Sequence, residues 1–384
     1  MDSFILLDYD TLRIIWWLLL GVLLALFAVM DGADIGVAML LPAVAKTDDE
    51  RRVLYNVIGP VWEGNQVWLI LGGGAIFAAW PVLYAMAFSG FYLAMLLLLV
   101  ALIVRPVAIK YRSKMESQQW RNRWDAIWCL SGVVSALVFG VAIGNVLLGV
   151  PFGFDPETLR PLYTGSFFGL FTPFALLTGV VSILLLAFQG AVVLSWKTDG
   201  VIAQRATRCA RITGLLMVLL FIGAGVWVAY GLDGQVVTSA LVSDAFSNPL
   251  SKTVEVTGAG GWMLNFSLYS WMWLAPIIAV LTAVAAVLIV SRGSLWAVFF
   301  SSVSVIAVVL TFGFALFPFL LPSSSQPDAG LTIYDASASH LTLWVMLLVT
   351  CIFLPMIIAY TSWVYSVMRG KVTADSVHNA PHSY

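Results

Sequence analysis

Within Val29 to Trp68, three acidic residues fall inside apolar segments: Asp31 and Asp34 in DGADIG of one, and Glu63 in VWEGNQVW of the next. In hydrocarbon each carboxylate costs about 2.5–3.5 kcal/mol on insertion scales. Each therefore needs a task or a partner. Asp31 and Asp34 are three residues apart and share one helix face, while Gly32 and Gly36 let another helix or a cofactor come close. Counted along the helical rise from the Lys/Arg-rich ends of their spans, Asp34 lies about 10–12 Å in, Asp31 about 16 Å, Glu63 about 14 Å and Arg105 about 5 Å. All four are expected in the same half of the membrane. Two chemistries suit such a set: holding and passing a proton, or balancing the charge of a cofactor. Two bland readings stand beside them. Arg105 is near enough to the boundary to snorkel, and Asp31 and Asp34 could simply pair with it and fix helix packing. Glu63 has no cation nearby in sequence and sits beside Asn65 and Gln66, which can hold waters, so a proton relay or counter-charge is expected of it.

The elements that position these residues follow from composition. The chain has 384 residues, 61% hydrophobic and only 10% charged, against about 25% charged in globular proteins. It is read as a single all-α polytopic membrane domain over 1–384, with apolar runs long enough to cross about 30 Å of hydrocarbon. Nine spans are expected, at about 14–41, 54–78, 80–108, 124–149, 167–195, 209–231, 268–291, 294–320 and 341–366, followed by a polar tail at 367–384. The second is the least regular, because Glu63, Gly64, Asn65 and Gln66 interrupt it. Cations gather at 109–123, at 196–211 and at the start of the tail, so the positive-inside rule makes these connections cytoplasmic and the N-terminus external. The acidic opening MDSFILLDYD argues against a removable signal peptide. Many of the tryptophans, Trp16, Trp80, Trp120 and Trp196 among them, fall near span ends as interfacial anchors. The connections at 232–267 and 321–340, rich in Ser, Pro, Gly and Asn, are expected to be structured outer loops.

Other chemistries are poorly served. A net charge of -1 argues against nucleic acid or another polyanion as partner. Cys129, Cys209 and Cys351 form no CxxC and suit helix packing. His340 falls at the outer edge of the last span, and His378 and His382 fall in the tail. The usual axial pairs for several haems are thus missing, and no metal site is expected. Gly72 to Gly74 lack the Lys and Ser/Thr of a phosphate loop. A proton-coupled transporter, with a broken helix and midplane acids, remains an alternative. Against it, the acids cluster in one half with no matching broken segment in the other.

The motifs LRIIWWLLLGVLLALFAVMDGADIG, TDDERR, WEGNQVWLILGGGAIFAAWP, RPVAIKYRSK, GNVLLGVPF and FPFLLPSSS followed by LTIYDASASHLTL resemble subunit II of proteobacterial cytochrome bd quinol oxidases over essentially the whole chain. The resemblance implies an inner-membrane terminal oxidase that oxidises quinol, reduces O2 to water and separates charge without pumping protons. It implies two four-helix bundles plus a peripheral helix, paired with a subunit I that ligates two haems b and one haem d. One or two small single-span subunits complete the complex, and some members hold a structural quinone in subunit II. Glu63 matches the acid of the family's WDGNQVW, Asp31 and Asp34 the acids of DGFDMG, and Arg105 the arginine of FRP. The resemblance makes these positions a cytoplasmic proton route or a counter-charge to the haems. Glu63 is one methylene longer than the Asp of some members, and Val61 stands where some have His.

Overall fold

The computed structural model describes residues 5–158, 160–240, 242–373 and Val377. His378 and His382 lie outside them. Helix α1 (Tyr9–Val44) is started by Asp8, whose carboxylate accepts the Thr11 amide at 3.1 Å. Helix α2 (Asp48–Ile58) opens on a capping box of Thr47 and Glu50, which satisfies two end amides reciprocally. Gly59 and Pro60 end it, since proline cannot continue a helix. Then come α3 (Trp62–Ala79), α4 (Pro81–Gly90), α5 (Tyr92–Tyr111), α6 (Gln118–Leu148), α7 (Pro173–Lys197), α8 (Gly200–Gly231), the short α9 (Leu264–Leu268), α10 (Leu274–Ile289), α11 (Leu295–Leu316) and α12 (His340–Val367).

Among the described residues eight helices are long and apolar enough to cross a membrane, and up to nine when α3 and α4, bent by 119°, are counted as one span. Helix α3 itself connects the two ends of the bundle. Glu63 in its first turn meets Lys110 near the end of α5, and the Ala79 carbonyl at its finish accepts the Ala338 amide just before α12. Its 18 residues reach about 27 Å, so the turn at Trp80 sends the chain back through α4 and α5. The expected second span therefore starts eight residues late. Residues 54–58 belong to α2, an amphipathic helix held at the Lys/Arg-rich end of the bundle, called the basic end below.

Helices α1, α3, α4 with α5, and α6 form one group; α7, α8, α10 and α11 form the other. The two meet along α1, α6 and α7. At the α1–α7 crossing a Cβ on Gly36 would lie 2.0 Å from the Leu186 carbonyl oxygen, so only glycine permits this backbone contact. The close approach expected at Gly36 is thus made by another helix. Helix α12 packs on α1 and α3 at the periphery, with only 11% of its apolar window buried.

At the end opposite the basic one, the expected outer loops carry three antiparallel hairpins: β1 (Phe152–Phe154) with β2 (Pro161–Tyr163), β3 (Asp233–Val237) with β4 (Val254–Ala259), and β5 (Phe319–Leu321) with β6 (Leu331–Thr332). Buried Arg13, whose Nε donates to Ser337 at 2.8 Å, and the Lys252–Asp335 pair at 2.8 Å tie these loops to α1 and to each other.

Candidate functional site: a buried charge cluster

Helix α1 runs three residues beyond its expected end, so Asp34 and Asp31 lie about 15 and 20 Å from its basic end. Their spacing does put them on one buried face, at 2% and 0% exposure. Arg105 of α5 donates from Nη2 to Asp31 Oδ1 at 2.6 Å and is itself only 2% exposed. It does not snorkel. Pro106, the next residue, lies inside α5, where a missing amide and a ring clash distort a helix.

Asp34 does not share that bond. Its Oδ2 accepts Nδ2 of Asn65 at 2.9 Å, and Asn65 Oδ1 accepts the hydroxyl of Tyr365, also at 2.9 Å. A chain of hydrogen bonds thus runs from the peripheral helix α12 through α3 to α1. Neither Asn65 nor Tyr365 was foreseeable as a contact to Asp34, because 300 residues separate the two. Only the polar Asn65 in an apolar segment hinted at it.

Glu63 departs most from expectation. Its side chain is 68% exposed, and Lys110 Nζ stands 3.5 Å from Oε1. The late start of α3 explains both facts. Glu63 occupies the first helical turn at the basic end rather than a site one-third of the way along a span, and the cation absent nearby in sequence arrives from α5. A pair this exposed contributes little to stability.

A second network lies at the basic end, where the sequence shows only clustered charge. Arg112 donates from Nε to Asp125 and from Nη2 to Asp48, both at 2.6 Å; Arg51 meets Asp125 at 2.9 Å and Arg121 meets Asp48 at 2.8 Å. Glu50 extends the clamp to α8 through Arg205 at 2.7 Å. Partial burial alone would raise the pKa of Asp48, but the bond and charge of Arg112 and the charge of Arg121 hold it below the ordinary value. A carboxylate held low stabilises the fold above its unfolded pKa and loses that contribution as pH falls through the folded one. Asp48→Asn should therefore lower the thermal midpoint of the protein at neutral pH, the gap to wild type closing below about pH 4. A gap that stayed constant through the acid range would contradict the ion-pair account.

Among the described residues the one histidine is His340. Its Nε2 is 2.8 Å from the Leu7 carbonyl oxygen and its ring stacks on Tyr9. Among the described residues no group of three or more His, Cys, Asp or Glu is arranged to hold a metal ion.

Long apolar helices around a buried set of two carboxylates and one guanidinium define a multi-pass membrane protein with charged groups in its interior. The sequence profile of the cytochrome bd terminal oxidase subunit II family matches residues 12–368, and the chain belongs to that family. It is 48% identical over 378 residues to "Cytochrome bd-I ubiquinol oxidase subunit 2" of Escherichia coli (strain K12), covering 98% of this chain and 99% of that protein. "Probable cytochrome oxidase subunit 2" of Haemophilus influenzae is 45% identical over 98% of this chain and 99% of its own length. The fold is also that of a chain of the bd oxidase from Geobacillus thermodenitrificans, with a TM-score of 0.65, 18% identity, and 94% and 98% of the two chains covered. Nothing in these likenesses favours a transporter.

Proposed function

We propose that this chain is the haem-poor second subunit of a quinol oxidase, where it stabilises the haem-bearing subunit I and supplies protons to it. Membership of the family makes it one subunit of an enzyme that transfers electrons from quinol to O2. The haems, two of b type and one of d type, would supply the oxygen chemistry from the partner, as the resemblance to the family implies. The basic end would face the bacterial cytoplasm and the hairpin end the periplasm, by the distribution of Lys and Arg. One or two small single-span subunits complete the proposed assembly, together with the structural quinone that some members of the family hold.

The observation that carries the proton role is the charge count of the cluster. Asp31 and Asp34 face one guanidinium, so the cluster is neutral only when it holds one proton. A net charge sealed among helices is costly, which makes proton loading and unloading at Asp34 the change that the site can undergo. Asp31 is the member bonded directly to Arg105. The buried Asp31 Oδ2, Arg105 Nε and Arg105 Nη1 make no hydrogen bond within the described chain, so the cluster retains capacity to join a longer hydrogen-bonded path. Glu63, two residues before Asn65 on α3, would collect protons at the exposed rim.

Exposure sets the size of the effect expected at Glu63. Water can replace an exposed acid in part, so Glu63→Gln should slow quinol-driven oxygen consumption about threefold to tenfold, less than the 10²-fold or more typical of an essential acid–base group. Assembly should be unaffected, since only the exposed Lys110 loses a partner. Unchanged turnover in a fully haem-loaded variant would remove Glu63 from the route.

A further inference from the structure

We infer that Tyr365 is a positioning residue for Asp34 and acts through the Asn65 amide. The inference rests on the reading of Asp34 as a proton carrier and adds to it the element that controls it. Helix α12 is otherwise the most loosely attached span, and its buried residues are Leu343, Trp344 and Thr361. Tyr365 follows Thr361 by four residues and so lies on the same inward face. Its hydroxyl donates to Asn65 Oδ1 at 2.9 Å, and Asn65, 1% exposed, donates from Nδ2 to Asp34 Oδ2 at 2.9 Å.

The chemistry of these three groups makes the chain reversible. An amide has a donating and an accepting side, and a hydroxyl can do either. With Asp34 ionised, Tyr365 donates to Asn65 and Asn65 donates to the carboxylate. With Asp34 protonated, its O–H can donate to Asn65 Oδ1 after the amide turns over, and Nδ2 then donates to the Tyr365 oxygen. Both hydrogen bonds of the chain, Asp34 to Asn65 and Asn65 to Tyr365, can be made in either state. The charged groups around Asp34 are Asp31 on its own helix and Arg105 on α5; from α3 it is faced by Asn65 and from α12, through Asn65, by Tyr365. Phenylalanine at 365 would keep the ring and remove the hydroxyl, leaving one side of the buried amide unpartnered in either state. Both protonation states of Asp34 would then be poorly held, and the amide would no longer be oriented.

The test is a double-mutant cycle on the intact, haem-loaded complex, with Asp34→Asn as reference. Per haem, Tyr365→Phe should slow quinol-driven oxygen consumption about threefold to tenfold. Asn65→Ala should slow it at least as much, and the double variant no further than Asn65→Ala alone, because residues acting through one another are not additive. The infrared C=O band lost in Asp34→Asn should shift in Tyr365→Phe, a change that loosening of α12 elsewhere would not produce. Additive losses, or a Tyr365→Phe complex with wild-type rate and an unmoved band, would overturn the inference. Wild-type turnover in Asp34→Asn would instead overturn the proton-carrier reading, while the band shift would still decide whether Tyr365 orients Asn65 against Asp34.

Discussion

An Arg105→Leu chain should fail to accumulate as a stable complex in the membrane. Arg105 and Asp31 are both almost wholly enclosed and meet at 2.6 Å. Removing one partner of such a pair leaves an uncompensated buried charge, at a cost of about 3–5 kcal/mol. That is a large share of the 5–15 kcal/mol by which typical proteins are stable. Loss of the cation also leaves Asp31 and Asp34 facing each other, so the penalty should sit at the upper end. The companion variant separates charge imbalance from poor packing. Replacing both partners, Asp31→Leu with Arg105→Leu, should restore much of the accumulated protein, because an apolar pair is often no less stable than the buried ion pair it replaces. Quantifying the chain in membranes, together with the thermal midpoint of whatever is extracted, checks both outcomes. Normal accumulation of Arg105→Leu alone would show that the pair is not needed to neutralise Asp31.

Much of this arrangement is written locally in the sequence. The i, i+3 spacing of Asp31 and Asp34 fixes their shared face whatever the helix packs against. Arg105 sits toward the basic end of a run of aliphatic residues, which places it at that end of the bundle, while its enclosure against Asp31 depends on the packing of α5 on α1. The basic clusters place the ends of helices, because charged loops do not enter hydrocarbon. The exposure of Glu63 departs from the count along the span for a physical reason. Leu54 to Val61 is apolar enough to pass as membrane span, yet these residues are the inner face and end of an amphipathic helix. The capping box of Thr47 and Glu50 and the Gly59–Pro60 pair were the local signs of that helix, and average hydropathy does not weigh them. Asn65 with Tyr365, and Arg13 with Ser337, were out of reach for another reason. Each contact joins elements roughly 300 residues apart, and nothing in either segment alone specifies which helix will lie beside it.

The second large effect is expected at Asp34. Asparagine has nearly the same shape and can still accept the Asn65 amide through its carbonyl, so the cluster should remain packed. With Arg105 balanced by Asp31, the substituted cluster is neutral and no longer needs a proton. What it loses is the ability to take one up and release it. An essential acid–base group contributes about 10²–10⁴-fold, so the loss should exceed that at the exposed Glu63, where water can substitute. Neutralising Asp31 alone would act differently, because it leaves Arg105 with only the Asn65-bonded Asp34 as its counter-charge.

The most direct measurement is quinol-driven oxygen consumption by the purified Asp34→Asn complex, normalised to its haem absorbance and repeated in sealed liposomes with a reporter of membrane potential. A normal haem spectrum, turnover reduced about 10²-fold or more, and a correspondingly small potential are expected. A complex with full haem content that consumes oxygen and builds potential at the wild-type rate would show that protons reach the oxidase by a path that does not use this cluster.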